Sequence, residues 1–72
     1  MSAVLYTRTG CVHCDAKRAE LTAGGVAFRE VDLIREPQAI PELLKVTGGR
    51  RIVPVLVREG RIEIAPGGGS TF

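Results

Sequence analysis

Two short apolar runs, Ala3-Val4-Leu5-Tyr6 and Ile52-Val53-Pro54-Val55-Leu56-Val57, confine the chain to a narrow range of folds. Neither alternates strictly between apolar and polar residues, which is the pattern of strands covered on both faces rather than on one. Such strands need helices above and below them, and the remaining sequence supplies two. Val12, Ala16, Ala19 and Ala23, with Leu21 nearby, recur at spacings of four, three and four as one face of a helix that Gly24-Gly25 ends. Ile40, Leu43, Leu44 and Thr47 keep helical spacing in a second helix, which Pro37 opens at its first turn and Gly48-Gly49 closes. Pro41 falls within that tolerated first turn or just beyond it.

Val26 to Leu33 mixes apolar with charged residues, among them Phe28, Arg29, Glu30 and Val31, as a half-exposed edge strand does. After Val57, Glu59-Gly60 forms a turn and Arg61 to Ala65 alternates as a hairpin partner. The order is therefore β, α, β, α, β, β, an α/β fold with a mixed four-stranded sheet. A helix between the first two strands makes that pair parallel, while the tight turn makes the last pair antiparallel. At 72 residues one domain spanning 1–72 is expected, with 66–72 a glycine-rich tail that is either a binding loop or a frayed end.

With 44% hydrophobic and 25% charged residues, the composition is that of an ordinary globular chain. A net charge of +2, with one Tyr and two Phe for stacking, argues against a nucleic-acid partner. Met1 to Tyr6 carries no basic segment followed by a long apolar one, so neither a signal peptide nor a membrane span is expected, and the cytoplasm is the expected location.

Cys11 and Cys14 are separated by two residues, a loop too small to staple a fold in a reducing compartment. Chemistry explains the pair better. Cys11 falls between a central strand and a helix, beside the helix's free N–H groups, where dipole and donors favour a thiolate, so it is the expected attacking residue. Cys14, one turn later, is placed to attack a mixed disulfide at Cys11 and release the reduced substrate. The pair also fits inert buried thiols or half a zinc site. A structural zinc needs four ligands, however, and only His13 is added nearby, so no metal is expected.

His13 is either an aid to the Cys11 thiolate or an exposed spacer, and Arg8 either adds positive charge to this corner or is a solvated strand end. Pro54 interrupts an apolar strand and removes a ladder hydrogen bond. Either a cis Val53-Pro54 peptide turns the Val53 backbone toward the thiols, where it can pair with an extended peptide, or a trans proline starts the strand.

Taken together, Val4-Leu5-Tyr6-Thr7-Arg8-Thr9-Gly10-Cys11-Val12-His13-Cys14, the Val53-Pro54 pair ahead of a strand and a later Gly-Gly turn resemble the glutaredoxin family over nearly the whole chain. Thr47 through Val57 looks most like the small bacterial glutaredoxin-like proteins called UXX-star, with the NrdH redoxins as near neighbours. The resemblance implies a thioredoxin-like fold with strand order 2-1-3-4, with Cys11 as nucleophile, Cys14 as resolving thiol and Pro54 as a cis-proline. It also implies a glutathione groove lined by Tyr6, Arg8, Arg50, Val53, Gly67 and Gly68. Three positions depart from the family pattern. Ile52 stands where Thr is usual, Ala65-Pro66 precedes the Gly-Gly, and the Asp that meets glutathione's amino group is missing, which leaves Ser70 or Thr71 to donate to the peptide's carboxylate.

The function implied is that of a dithiol thiol–disulfide oxidoreductase reducing protein disulfides or glutathione mixed disulfides. Its electron source is expected to be glutathione or a thioredoxin-reductase-like flavoenzyme, with no cofactor bound. An iron–sulfur cluster module and a non-catalytic peptide-binding domain are the alternatives. A monomer is expected, and the final helix of larger relatives has no counterpart, which leaves one sheet face thinly covered for a partner.

Overall fold

The computed structural model describes residues 3–72; Met1 and Ser2, with which the expected domain begins, lie outside the described residues. Strand β1 (Ala3–Thr7) is followed by helix α1 (Val12–Ala23), strand β2 (Phe28–Asp32) and a 3₁₀ turn over Pro37–Ala39 that runs into helix α2 (Ile40–Thr47). Four further strands follow: β3 (Ile52–Val53), β4 (Val55–Arg58), β5 (Arg61–Ile64) and β6 (Ser70–Thr71). No helix among the described residues is long and apolar enough to cross a membrane.

The main sheet has the order β2-β1-β4-β5, with β1 parallel to β2 and antiparallel to β4. That is the order expected from the sequence once the third apolar run is divided. Pro54 has no N–H to give to a ladder, so pairing stops there: Val55–Arg58 enters the main sheet, and Ile52–Val53 pairs instead with β6. The tail is thus not frayed. Its Ser70 and Thr71 form an antiparallel pair of residues opposite Val53 and Ile52.

Three boundaries differ from expectation. β2 is Phe28–Asp32 and not Val26–Leu33, because these five residues pair in register with β1 and Leu33 adds only one N–H bond to the Thr7 carbonyl beyond them. Ala65 takes a left-handed backbone and leaves β5 at Ile64. The second helix begins as a 3₁₀ turn at Pro37 and becomes α only at Ile40, with Pro41 in its first turn, where a missing N–H leaves nothing unpaired. Gly48 closes it in the left-handed conformation, as the Gly-Gly pair suggested.

Alternate residues of β1 go to opposite faces, which is why the run shows no polar period. Ala3 and Leu5 pack with Leu21 of α1 and Leu56 of β4; Tyr6 packs on the other face with Val31, Leu33, Val55 and Leu43 of α2. Leu5 is fully buried between β2 and β4. Replacing it with alanine is expected to remove about 2–5 kcal/mol, out of a total of about 4–11 kcal/mol for a chain of this length. Thermal unfolding followed by circular dichroism should show a midpoint lower by about 10 °C or more. A shift of only a degree or two would mean that the site collapses around the cavity.

On the α1 face one row runs across all four strands: Glu30, Leu5, Leu56 and Glu63 are successive cross-strand neighbours. α1 lies over the two leucines and reaches both ends of the row. Arg18 places Nε and Nη2 each 2.6 Å from the Glu30 carboxylate, while Lys17 Nζ is 3.1 Å from Glu63. Two adjacent residues of one helix thereby tie it to both edge strands of the sheet. This fixes the position of the helix N-terminus, where the cysteines lie.

Candidate functional site

Cys11 is the N-cap of α1, in extended conformation, with its carbonyl taking the first helical hydrogen bond from Asp15 N–H. Its side chain plays the role that serine or aspartate plays at other helix starts: Cys14 N–H donates to Cys11 Sγ at 3.2 Å. Gly10 precedes it with φ +79, a left-handed turn that a side chain would strain. The local sequence therefore sets the sulfur on the open end of the helix.

The two thiols are buried and free, and their environments drive them apart. Burial pushes the Cys11 thiol up, but hydrogen bonds from the Cys14 thiol, the Ser70 hydroxyl and the N–H groups of Cys14 and His13 outweigh it, so Cys11 sits below the ordinary thiol range. Burial pushes Cys14 up to about 12, reinforced by its hydrogen bond to Cys11 and by the charge that Cys11 carries. One proton is shared unequally. When the pair loses its first proton the charge settles on Cys11, and Cys14 keeps the proton that remains.

Around this pair the other expected residues take different places. Val53 is fully buried in the same cluster as both cysteines, and the Val53-Pro54 peptide is cis. Pro54, Gly67 and Gly68 line a pocket of about 90 Å³ together with His13, Ala16, Lys17, Glu20 and Pro66. His13 serves Cys11 through its backbone N–H, and its ring packs on the tail: a side-chain carbon added at Gly68 would lie 3.0 Å from the imidazole. Arg8 Nη1 donates to the Thr71 carbonyl at 2.7 Å, and its Nε is buried without a partner.

Two residues expected in the groove are elsewhere. Tyr6 is only 3% exposed, inside the core, with its hydroxyl on Glu42 of α2; burial and that carboxylate push it up to about 12. It packs the sheet and does not line an open groove. Arg50 is exposed on the turn after α2, where its backbone N–H and carbonyl bracket the Thr47 hydroxyl at 3.1 and 2.8 Å. The neighbouring Arg51 is the one that reaches the tail, donating from Nε to the Phe72 carbonyl at 2.9 Å with its guanidinium 4.8 Å above the Phe72 ring.

Gly69 was not singled out from sequence, and Ser70 was named there only as a donor to a peptide carboxylate, not as a neighbour of Cys11. Gly69 crosses β3 so closely that a Cβ there would press into the Val53 carbonyl and lie 2.8 Å from the Ala65 Cβ. Ser70 Oγ lies 3.5 Å from Cys11 Sγ. The only sequence signal for either was the third glycine of the tail, since a run of glycines marks close backbone approach as readily as disorder.

The family model described as Glutaredoxin matches residues 3–62 of this chain. The chain belongs to the glutaredoxin family. This glutaredoxin superposes on the solved structure of the glutaredoxin-like protein NrdH-redoxin from Escherichia coli with a TM-score of 0.73 at 30% identity, covering 88% of this chain and 80% of that one. That relative is described as having a thioredoxin-like activity profile. Among curated proteins, Gene 56 protein of Mycobacterium phage L5 is 36% identical over 55 residues, 76% of this chain. Those residues make up 52% of the phage protein, so the glutaredoxin chain spans about half the length of the curated relative it matches. The family and the likeness to NrdH-redoxin establish a thioredoxin-like fold, within a family of thiol–disulfide redox proteins.

Proposed function

We propose that this protein is a dithiol disulfide reductase in which Cys11 attacks and Cys14 resolves, with electrons drawn from a thioredoxin-reductase-like flavoenzyme and passed to disulfides in other proteins. The observation that carries this reading is the opposed environment of the two sulfurs, one held as a thiolate at a helix cap and one kept protonated beneath it.

The Cys11 thiolate attacks one sulfur of the substrate disulfide. That S–S bond breaks, and the outer sulfur departs with the bonding pair and takes up a proton. With Cys11 in a mixed disulfide, the charge and the hydrogen bond that hold the Cys14 proton are gone, so Cys14 gives up its proton more readily. It then attacks Cys11 Sγ, and the second substrate sulfur leaves as a thiolate and is protonated. Two electrons have moved: the substrate is a dithiol, and Cys11–Cys14 is a disulfide that the flavoenzyme reduces with electrons from NADPH.

The choice of a flavoenzyme over glutathione rests on what the tail already occupies. Val53 faces Ser70 within the β3–β6 ladder, Arg8 Nη1 is taken by the Thr71 carbonyl, and Tyr6 is buried. Three of the groups that the family resemblance assigns to glutathione are thus engaged by this chain itself. The exposed Val12 beside Cys11 suits a partly apolar protein segment.

Supplying NADPH with thioredoxin reductase in one assay, and with glutathione plus glutathione reductase in another, separates the two donors. Turnover of a protein disulfide is expected in the first and at least about tenfold less in the second, the loss that follows from about 1.4 kcal/mol of missing recognition. The reverse order overturns the donor. No turnover with either overturns the enzyme.

A further inference from the structure

Three contacts hold the tail against the N-terminus of α1. β6 pairs with β3, Arg8 Nη1 donates to the Thr71 carbonyl at 2.7 Å, and Arg51 holds Phe72 through its carbonyl and ring. Ser70 is flanked by all three, so its backbone is fixed before its side chain makes any contact. Its hydroxyl is then set 3.5 Å from Cys11 Sγ, across 59 residues of sequence.

We propose that Ser70 is a further catalytic residue of the thiol–disulfide exchange, its hydroxyl donating a hydrogen bond to the Cys11 thiolate from the tail. The inference rests on Cys11 as the attacking sulfur. A hydroxyl suits both states of that sulfur without moving a heavy atom: it accepts from the thiol when Cys11 is protonated and rotates to donate when Cys11 is a thiolate. Hydrogen bonds to an ionised partner are about twice as strong as neutral ones, so the hydroxyl favours the anion.

The groups facing Cys11 are few. α1 contributes the Cys14 thiol and the N–H groups of His13 and Cys14, and β6 contributes Ser70. The His13 ring is turned to Gly68, and the Arg8 guanidinium to Thr71. Neutral donors therefore hold the charge, and Ser70 is the one among them that does not belong to α1. When Cys11 attacks a disulfide its charge passes to the departing substrate sulfur, which is then protonated, and Ser70 loses its anionic acceptor. The hydrogen bond is strongest in the form that attacks.

The test compares Ser70→Thr with Ser70→Val in the full chain carrying Cys14→Ser, so that a single thiol titrates. Threonine and valine have the same shape and both suit a strand, so they differ only in the hydroxyl. The ultraviolet absorbance of the thiolate followed across pH should place the threonine form near the parent and the valine form about one pH unit higher. Below both midpoints the valine form then carries about tenfold less thiolate, but each thiolate is about threefold more nucleophilic, so mixed-disulfide formation with a small neutral disulfide slows about threefold. Equal midpoints for the two variants overturn the proposal. The titration needs no turnover, so a midpoint difference together with silent reductase assays would leave Ser70 standing and remove the reductase reading.

Discussion

Replacing Cys11 with serine is expected to bring disulfide reduction down to the uncatalysed rate while leaving the fold in place. A serine hydroxyl does not ionise near neutral pH, so the thiolate that attacks is lost altogether. Serine is nevertheless a good helix N-cap, and its oxygen can accept the Cys14 N–H that now goes to Cys11 Sγ. The melting temperature should therefore stay within a few degrees of the parent, separating loss of chemistry from loss of structure. Cys14→Ser should behave differently: it should still form the first bond and then stop, accumulating a mixed disulfide at Cys11 that mass spectrometry detects as the added mass of one substrate half. Turnover above the blank in Cys11→Ser would place the attacking sulfur elsewhere.

Gly69→Ala should detach the tail. The new methyl group would press into the Val53 carbonyl and lie 2.8 Å from the Ala65 Cβ and 3.1 Å from Ile52 Cγ1, well inside the ~3.5–4.0 Å at which carbon atoms rest against one another. Backbone atoms stand on the crowded side, so a rotamer change cannot make room. The segment must leave β3, taking Ser70 from Cys11 and releasing Arg8 and Arg51 from their carbonyls. The core clusters around Leu5 and Leu43 are not touched. A destabilisation of about 1–3 kcal/mol is expected, which at about 4–8 °C per kcal/mol is visible in a melt. Hydrogen exchange should show faster exchange at residues 52–53 and 70–71, with β1 and β4 still protected. Unchanged exchange at those positions would mean that the tail tolerates the methyl group.

How much of this was legible in the sequence varies from one element to the next. Ala3–Thr7 could be read as a central strand because Leu5 and Tyr6 both need burial and point opposite ways, and α1 could be bounded because Gly24-Gly25 is a local stop signal. Pro54 announced its break for the same local reason. The place of Cys11 at the start of a helix could be read from a short window of sequence as well.

What was missed lies at long separation. Nothing in Pro66-Gly67-Gly68-Gly69-Ser70 carries a period, so its pairing with β3 and the approach of Ser70 to Cys11 had no local trace. Tyr6 was assigned to the groove by family likeness, but its strand places it among Val31, Leu43 and Val55. Arg50 was likewise placed by family likeness, whereas Arg51 is the residue of that irregular turn that faces the tail, and periodicity does not decide which one does. The row Glu30, Leu5, Leu56, Glu63 was also invisible, since register between strands sets it.

The span between Cys11 and its two hydrogen-bonding partners also bears on timing. Cys14 N–H is three residues away and is available once the first turn of α1 forms, whereas the Ser70 hydroxyl is 59 residues away. A chain leaving the ribosome thus has its cysteines exposed to the cell long before residue 70 has been added. On the proposed role of Ser70, Cys11 then has only its short-range donors and ionises less readily, and its full reactivity arrives when the tail closes onto β3.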